Sequence, residues 1–173
     1  MPANTAARLN AQTLRLAIVS AVVALMGYGY YLQFVVGLEP CPLCITQRFF
    51  LVLSGLLGLA AALHRPAHRG ARLYGNIGAI TALSGGAFST RQLYLQSLPA
   101  EQAPACGPSI EFIFDTFPLL DALEILLRGD GNCAEVSWRF LGLSIPGWTL
   151  LAFLALAFAW LWQIRLSKKE ELL

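Results

Sequence analysis

Cys41-Pro42-Leu43-Cys44 is a C-x-x-C pair, the minimal unit of thiol–disulfide exchange. Arg48 follows four residues after Cys44, so a helix would carry both on one face. Disulfide exchange needs a thiolate, and thiolates form readily at a helix N-terminus or beside a cation. Two more cysteines, Cys106 and Cys133, lie far downstream. Two pairs could relay electrons from one to the other. A bland reading stands beside this one, in which both pairs are structural disulfides and Arg48 snorkels to a membrane surface. A zinc site made of all four cysteines is a weaker fit, because the second pair is not closely spaced.

The elements that must position these groups are membrane helices. The chain has 173 residues, 57% hydrophobic and 13% charged, whereas a soluble domain carries roughly a quarter charged residues. Residues 16–38 and 140–164 contain no Asp, Glu, Lys or Arg. As helices, each run can cross a hydrocarbon core of about 30 Å. The first run is longer than the apolar core of a signal peptide and lacks a small-x-small cleavage site, so a retained span is expected. The expected fold is an all-α membrane protein, a single domain over 1–173 built as a four-transmembrane-helix bundle. Spans are expected at about 16–36, 45–63, 73–90 and 146–164. The second reaches spanning length only if it starts near Cys44, which puts Arg48 in the outer part of the membrane. The third is weakly apolar, but Gly75/Ala79, Gly78/Ala82 and Ala82/Gly86 repeat small residues at four-residue spacing, the mark of a closely packed helix. In that helix Asn76 is expected to hydrogen-bond a neighbouring helix. Ser144 is expected near the cap of the fourth span, with Trp148 and Trp160/Trp162 at its two interfaces.

Charge sets the orientation. Arg8, Arg15, Arg65, Arg69, Arg72, Arg165, Lys168 and Lys169 fall on one side, which the positive-inside rule makes cytoplasmic. Both termini are then inside, and the loops at about 37–44 and 91–145 are outside. All four cysteines share that outer side, where disulfides persist, and two outer pairs fit two disulfides. His64 and His68 fall in the inner basic loop, where solvated residues are expected rather than ligands. In the long outer loop, Pro99, Pro104 and Pro108 predict irregular chain around Cys106. The 111–128 stretch is apolar, with Phe112, Phe114 and Phe117 before Pro118. Beyond it, Asp121, Glu124 and Arg128 oppose Leu119, Leu123, Leu126 and Leu127, the pattern of a short helix lying in the membrane surface. Gly129-Asp130-Gly131-Asn132 predicts a turn into Cys133. The loop is expected to be mobile around its cysteines and tethered between them.

Taken together, Pro40 to Arg48 (P-C-x-L-C-x-x-x-R), the loop cysteines Cys106 and Cys133, and Trp138 to Trp148 (W-x-F-L-G-L-x-x-P-x-W) resemble the disulfide bond formation protein B (DsbB) family over about residues 14–165. The resemblance implies a bundle in the bacterial inner membrane and a quinone, ubiquinone or menaquinone, near Cys44 and Arg48. It implies a periplasmic thioredoxin-fold oxidase, DsbA, as electron donor; no nucleic-acid partner is expected. By position, Cys106 would form the mixed disulfide with DsbA and Cys133 would resolve it. Cys41 and Cys44 would take the electrons, with Cys44 donating to quinone. Arg48 would stabilise the Cys44 thiolate and polarise a quinone carbonyl. Gln47 and the Arg91/Gln92 region would help line the pocket. The vitamin K epoxide reductase family does similar chemistry, but there the loop cysteines precede the C-x-x-C, the reverse of the order here. The expected function is therefore a quinone-dependent protein-dithiol oxidoreductase. The alternatives are a non-catalytic membrane scaffold and an exporter of cytoplasmic reductant, the last lacking any cysteine on the inner side.

Overall fold

The computed structural model describes residues 3–99, 101–107, 112 and 115–171, with side chains described within 11–168. Pro108, Phe114 and the side chains of Arg8 and Lys169 lie outside the described residues. The elements are α1 (Ala3–Phe34), α2 (Pro42–His64), α3 (His68–Ser97), a short α4 (Leu119–Arg128), a 3-10 turn (Gly131–Cys133), a small hairpin of β1 (Arg139–Phe140) and β2 (Leu143–Ser144), and α5 (Ile145–Glu171). The four long helices pack antiparallel to their chain neighbours, and α5 closes the bundle against α1 and α3. Among the described residues, 11–34 of α1, all of α2 and 145–168 of α5 are long and apolar enough to cross a membrane.

The third expected span does not meet that apolar standard, and the reason is visible in its packing. Gly75, Gly78, Ala79, Ala82, Gly85 and Gly86 are buried along one face of α3. A Cβ at Gly78 would overlap the Trp160 ring, and one at Gly85 would overlap Phe153. Small residues have replaced large apolar ones so that α3 and α5 can approach closely. The aliphatic residues of α3 point the other way: Leu73, Ile77, Ile80 and Leu83 are exposed, as are Val23, Phe49, Leu56, Leu154 and Phe158 on the other long helices.

Several expected positions shift. Trp160 does not mark an interface; it is fully buried and its indole N–H donates to Ser54 Oγ at 3.0 Å, joining α5 to α2. Asn76 is exposed rather than bonded between helices. Ser144 stands directly before α5, at the expected cap position, with its hydroxyl donating to Gln96 Oε1 at 2.7 Å. The chain is not purely helical, because Arg139–Ser144 forms a two-stranded antiparallel hairpin. Leu141 and Gly142 turn it with φ of 50° and 83°, the left-handed pair that a tight hairpin turn requires.

Helix ends also run past the expected spans. α3 continues through Arg91 and Gln92 to Ser97, because nothing breaks it before Pro99. Both residues are therefore helical, and the outer loop begins later than expected. α2 begins at Pro42, whose missing N–H costs nothing in a first turn. It ends at Arg65, in left-handed backbone (φ 44°) just before Pro66. The exposed carbonyls at that end are met by α1: Gln12 Nε2 donates to Ala62 O at 3.1 Å and Arg15 Nη1 to Ala61 O at 3.3 Å. His64 Nδ1 lies 3.3 Å from Tyr74 Oη, bridging α2 and α3 at the same end.

Candidate active site

Cys41 caps α2 in extended backbone (φ −72°, ψ 166°), and its carbonyl accepts the Ile45 N–H at 3.2 Å. One turn later, Cys44 brings its Sγ to 3.0 Å from Cys41 Sγ. All four cysteines are free thiols in this structure, so neither expected disulfide is formed in it. The C-x-x-C pair is nonetheless arranged for bonding, since its two sulfurs already touch.

Cys133 is brought to the same place by the turn before it. Gly129 adopts φ 76°, and Asp130 Oδ1 accepts the Asn132 N–H at 3.1 Å. Gly129 is needed twice over, for its left-handed backbone and because a Cβ there would press into Leu43. The turn is anchored upstream by α4: Thr46 Oγ1 donates to Leu126 O at 3.0 Å, and Arg91 Nε to Arg128 O at 3.0 Å. Ala122 and Leu126 are buried, while Leu119, Leu120, Leu123 and Leu127 are exposed, so the leucine face of this helix is split between protein and surroundings. Cys133 itself is fully buried with Cys41, Leu43 and Leu95, which replaces the expected mobility at this cysteine with a packed position.

Cys133 packs in one buried cluster with Cys41. Hydrogen bonding to the Cys41 thiol holds the Cys133 thiol below its ordinary range against the opposing effect of burial, with backbone N–H groups at Leu43 and Asp130 adding to the effect. Cys41 is pushed up, first by donating to Cys133, then by its contact with Cys44 and by burial. Cys106 is exposed. Its segment lies along the Cys133 turn, with Gly131 N–H donating to Ala105 O at 3.0 Å and Asn132 Nδ2 to Gly107 O at 3.3 Å. The fold thus sets an exposed cysteine beside a buried one, which touches the C-x-x-C pair.

Arg48 is held by α1. It donates through Nη1 to Gln33 Oε1 at 2.5 Å and through Nη2 to Gly29 O at 3.1 Å, and it sits 5.2 Å from the centroid of the Tyr30 ring. α1 thus holds the cation on the same cavity wall as Cys44. Sequence reasoning placed Gln92 only loosely, and the structure puts it at the sulfurs. Its Nε2 is 3.3 Å from Cys41 Sγ and 3.5 Å from Cys44 Sγ. The signal that could have found it is Pro99, the first residue able to stop α3. Gln47 Nε2 donates to Gln92 Oε1 at 2.7 Å, and Thr149 Oγ1 donates to Gln47 Oε1 at 2.8 Å.

Cys44, Gln47, Arg48 and Thr149 line one side of a cavity of about 100 Å³ between α1, α2 and α5. Leu25, Met26, Leu32, Leu38, Leu51 and Ile145 give it apolar walls, and Glu39 adds a carboxylate. Apolar walls, N–H and O–H donors and one sulfur suit a flat, carbonyl-bearing apolar molecule. Among the described residues, no three of His, Cys, Asp and Glu converge as a metal site.

Comparison with known proteins agrees with this geometry. The family described as Disulfide bond formation protein DsbB matches residues 11–163. Curated relatives named "Disulfide bond formation protein B" include one from Hahella chejuensis, 56% identical over 144 residues, covering 81% of this chain and 87% of the relative. One from Saccharophagus degradans is 51% identical over 148 residues, covering 86% and 89%. One from Azoarcus is 44% identical over 153 residues, covering 88% and 92%.

Proposed function

Because the chain belongs to the disulfide bond formation protein B family, we propose that it is a quinone-dependent thiol oxidoreductase reoxidising a periplasmic thioredoxin-fold oxidase of the DsbA type. α3 completes a four-span bundle in the bacterial inner membrane, with both termini cytoplasmic and the cysteines at the periplasmic side. The observation that carries the reading is the row of three sulfurs: Cys133 packed with Cys41, Cys41 at 3.0 Å from Cys44, and Cys44 on the cavity wall.

The exchange starts with Cys106–Cys133 and Cys41–Cys44 both oxidised. A partner thiolate attacks exposed Cys106; the Cys106–Cys133 bond breaks and Cys133 leaves as thiolate. The partner's second thiol then displaces Cys106, and the partner departs as a disulfide. Cys133, already against Cys41, attacks that sulfur. A Cys133–Cys41 bond forms, the Cys41–Cys44 bond breaks, and Cys44 leaves as thiolate beside the cavity. Attack by Cys106 on Cys133 restores the loop disulfide and frees Cys41. Two electrons then reside on Cys41 and Cys44.

Arg48 is placed to donate to a carbonyl of a quinone, and the apolar cavity residues to hold its ring. The chemistry a bound quinone supplies is acceptance of two electrons and two protons. Gln33, Gly29 and Tyr30 fix Arg48 at the cavity wall before any ligand arrives, so little ordering remains to be done on binding. A scaffold braced by two structural disulfides has no use for a third thiol packed on its first pair. The test is stoichiometry. Purified protein given reduced thioredoxin-fold oxidase and a soluble quinone should consume one quinone per partner disulfide formed. Partner oxidation without quinone consumption would refute the assignment.

A further inference from the structure

We propose that Gln92 is a catalytic residue that presents an amide N–H to the Cys41–Cys44 sulfurs, and that Gln47 and Thr149 are positioning residues that orient it. This rests on reading Cys41–Cys44 as the exchanging pair.

The hydrogen bonds form a directed chain. Thr149 Oγ1 donates to Gln47 Oε1 at 2.8 Å, Gln47 Nε2 donates to Gln92 Oε1 at 2.7 Å, and Gln92 Nε2 reaches Cys41 Sγ at 3.3 Å and Cys44 Sγ at 3.5 Å. Behind Thr149, Ser89 Oγ is 3.1 Å away and can supply a further donor. Exposure is 2% at Gln47, 3% at Gln92 and 0% at Ser89, so water does not compete for these groups. A side-chain amide has one acceptor end and one donor end. The Gln92 carbonyl accepts from Gln47 and lies 3.8 Å from Cys44 Sγ, so the NH₂ is the end closer to both sulfurs. Each link polarises the next in a dry site, which strengthens the terminal donor.

That donor distinguishes redox states. A disulfide sulfur is a weak acceptor, whereas a thiolate is a strong, charge-assisted one. The amide therefore stabilises the reduced pair more than the oxidised pair and makes Cys41–Cys44 the stronger electron acceptor. The network spans α2, α3 and α5, which gives the polar positions of the weakly apolar α3 a chemical role beyond packing.

The test is the thiol–disulfide equilibrium of this pair, measured without quinone. The full chain carrying Cys106→Ser and Cys133→Ser leaves one couple. It is equilibrated in detergent with glutathione buffers, where each pair reduced converts two glutathione thiols into one glutathione disulfide. The reduced fraction is read by alkylation and mass spectrometry. Gln92→Leu should shift the equilibrium constant about tenfold toward the disulfide, the size of a lost hydrogen bond to a charged group. For a two-electron couple that is about 30 mV. Thr149→Val should shift it in the same direction by less, and it decides the matter if Gln92→Leu does not fold. A lower melting temperature with an unchanged equilibrium constant would make the network structural and overturn the proposal. A parent couple that no glutathione ratio reduces would overturn both this proposal and the reading beneath it.

Discussion

Arg48 Nη1 donates to Gln33 Oε1 at 2.5 Å, tying the cation of α2 to α1 rather than to the neighbouring thiol. The guanidinium is thereby a fixed wall of the cavity. Arg48→Ala should raise the quinone KM about tenfold or more, the cost of losing a charged hydrogen bond. Disulfide exchange with the protein partner should be nearly unchanged. Gln33→Ala should give a smaller effect of the same kind. Separate titration of quinone and protein partner in steady-state assays distinguishes the two.

Cys133 owes its acidity first to the hydrogen bond from Cys41. Donation to a thiolate favours the charged form and lowers the folded-state value. The stabilisation it brings is therefore present above the ordinary thiol range and is lost as pH falls through the folded value. In the reduced protein, Cys133 should keep reacting with a small alkylating reagent at pH values below those of an ordinary thiol. Cys41→Ala should move the midpoint of that pH profile upward. An unmoved midpoint would show that the backbone N–H groups alone set it.

Exposed Cys106 is the entry point for a protein thiol. Cys133→Ser should accumulate a mixed disulfide between Cys106 and an oxidised thioredoxin-fold oxidase, whose disulfide the Cys106 thiolate opens, visible on non-reducing gels. Cys106→Ser should accumulate none.

The Trp160–Ser54 bond crosses the bundle core. Trp160→Phe should lower stability both by shrinking a core side chain and by leaving a buried hydroxyl unpaired, the second costing about 1–3 kcal/mol. Adding Ser54→Ala should recover part of that loss, because the orphaned hydroxyl is then gone. Thermal unfolding in detergent reads both variants, and a double variant equal to the sum of the singles would contradict the coupling.

The parts of this fold legible in the sequence are those with local causes. Uncharged runs marked α1 and α5, the need for spanning length set the start of α2 near Cys44, and the Gly129–Asn132 turn declared itself through its residue types. The small-residue repeat of α3 announced close packing before Trp160 and Phe153 could be seen to fill it. What stayed hidden depends on contacts between distant segments. No spacing rule says that Arg48 turns to Gln33, or that Cys133 packs on Cys41 while Cys106 stays exposed. Gln92 was obscured because Arg91 read as the end of a membrane span, although a helix need not stop where the lipid does. Trp160 was misplaced because tryptophan suits interfaces in general, and only the neighbouring glycines make room for it in this core.

The most direct measurement is on the oxidised Cys44→Ser chain, in which the free Cys41 thiol faces the Cys106–Cys133 disulfide. Attack by Cys41 on Cys133 breaks the Cys106–Cys133 bond, forms a Cys41–Cys133 bond and releases Cys106 as thiolate, with no net oxidation. Peptide mapping under non-reducing conditions should find this Cys41–Cys133 disulfide with Cys106 free, and reduced partner oxidase added with quinone should give no quinone reduction. A protein that keeps Cys106–Cys133 alone, or that still reduces quinone, would contradict the route from loop to membrane through these two sulfurs.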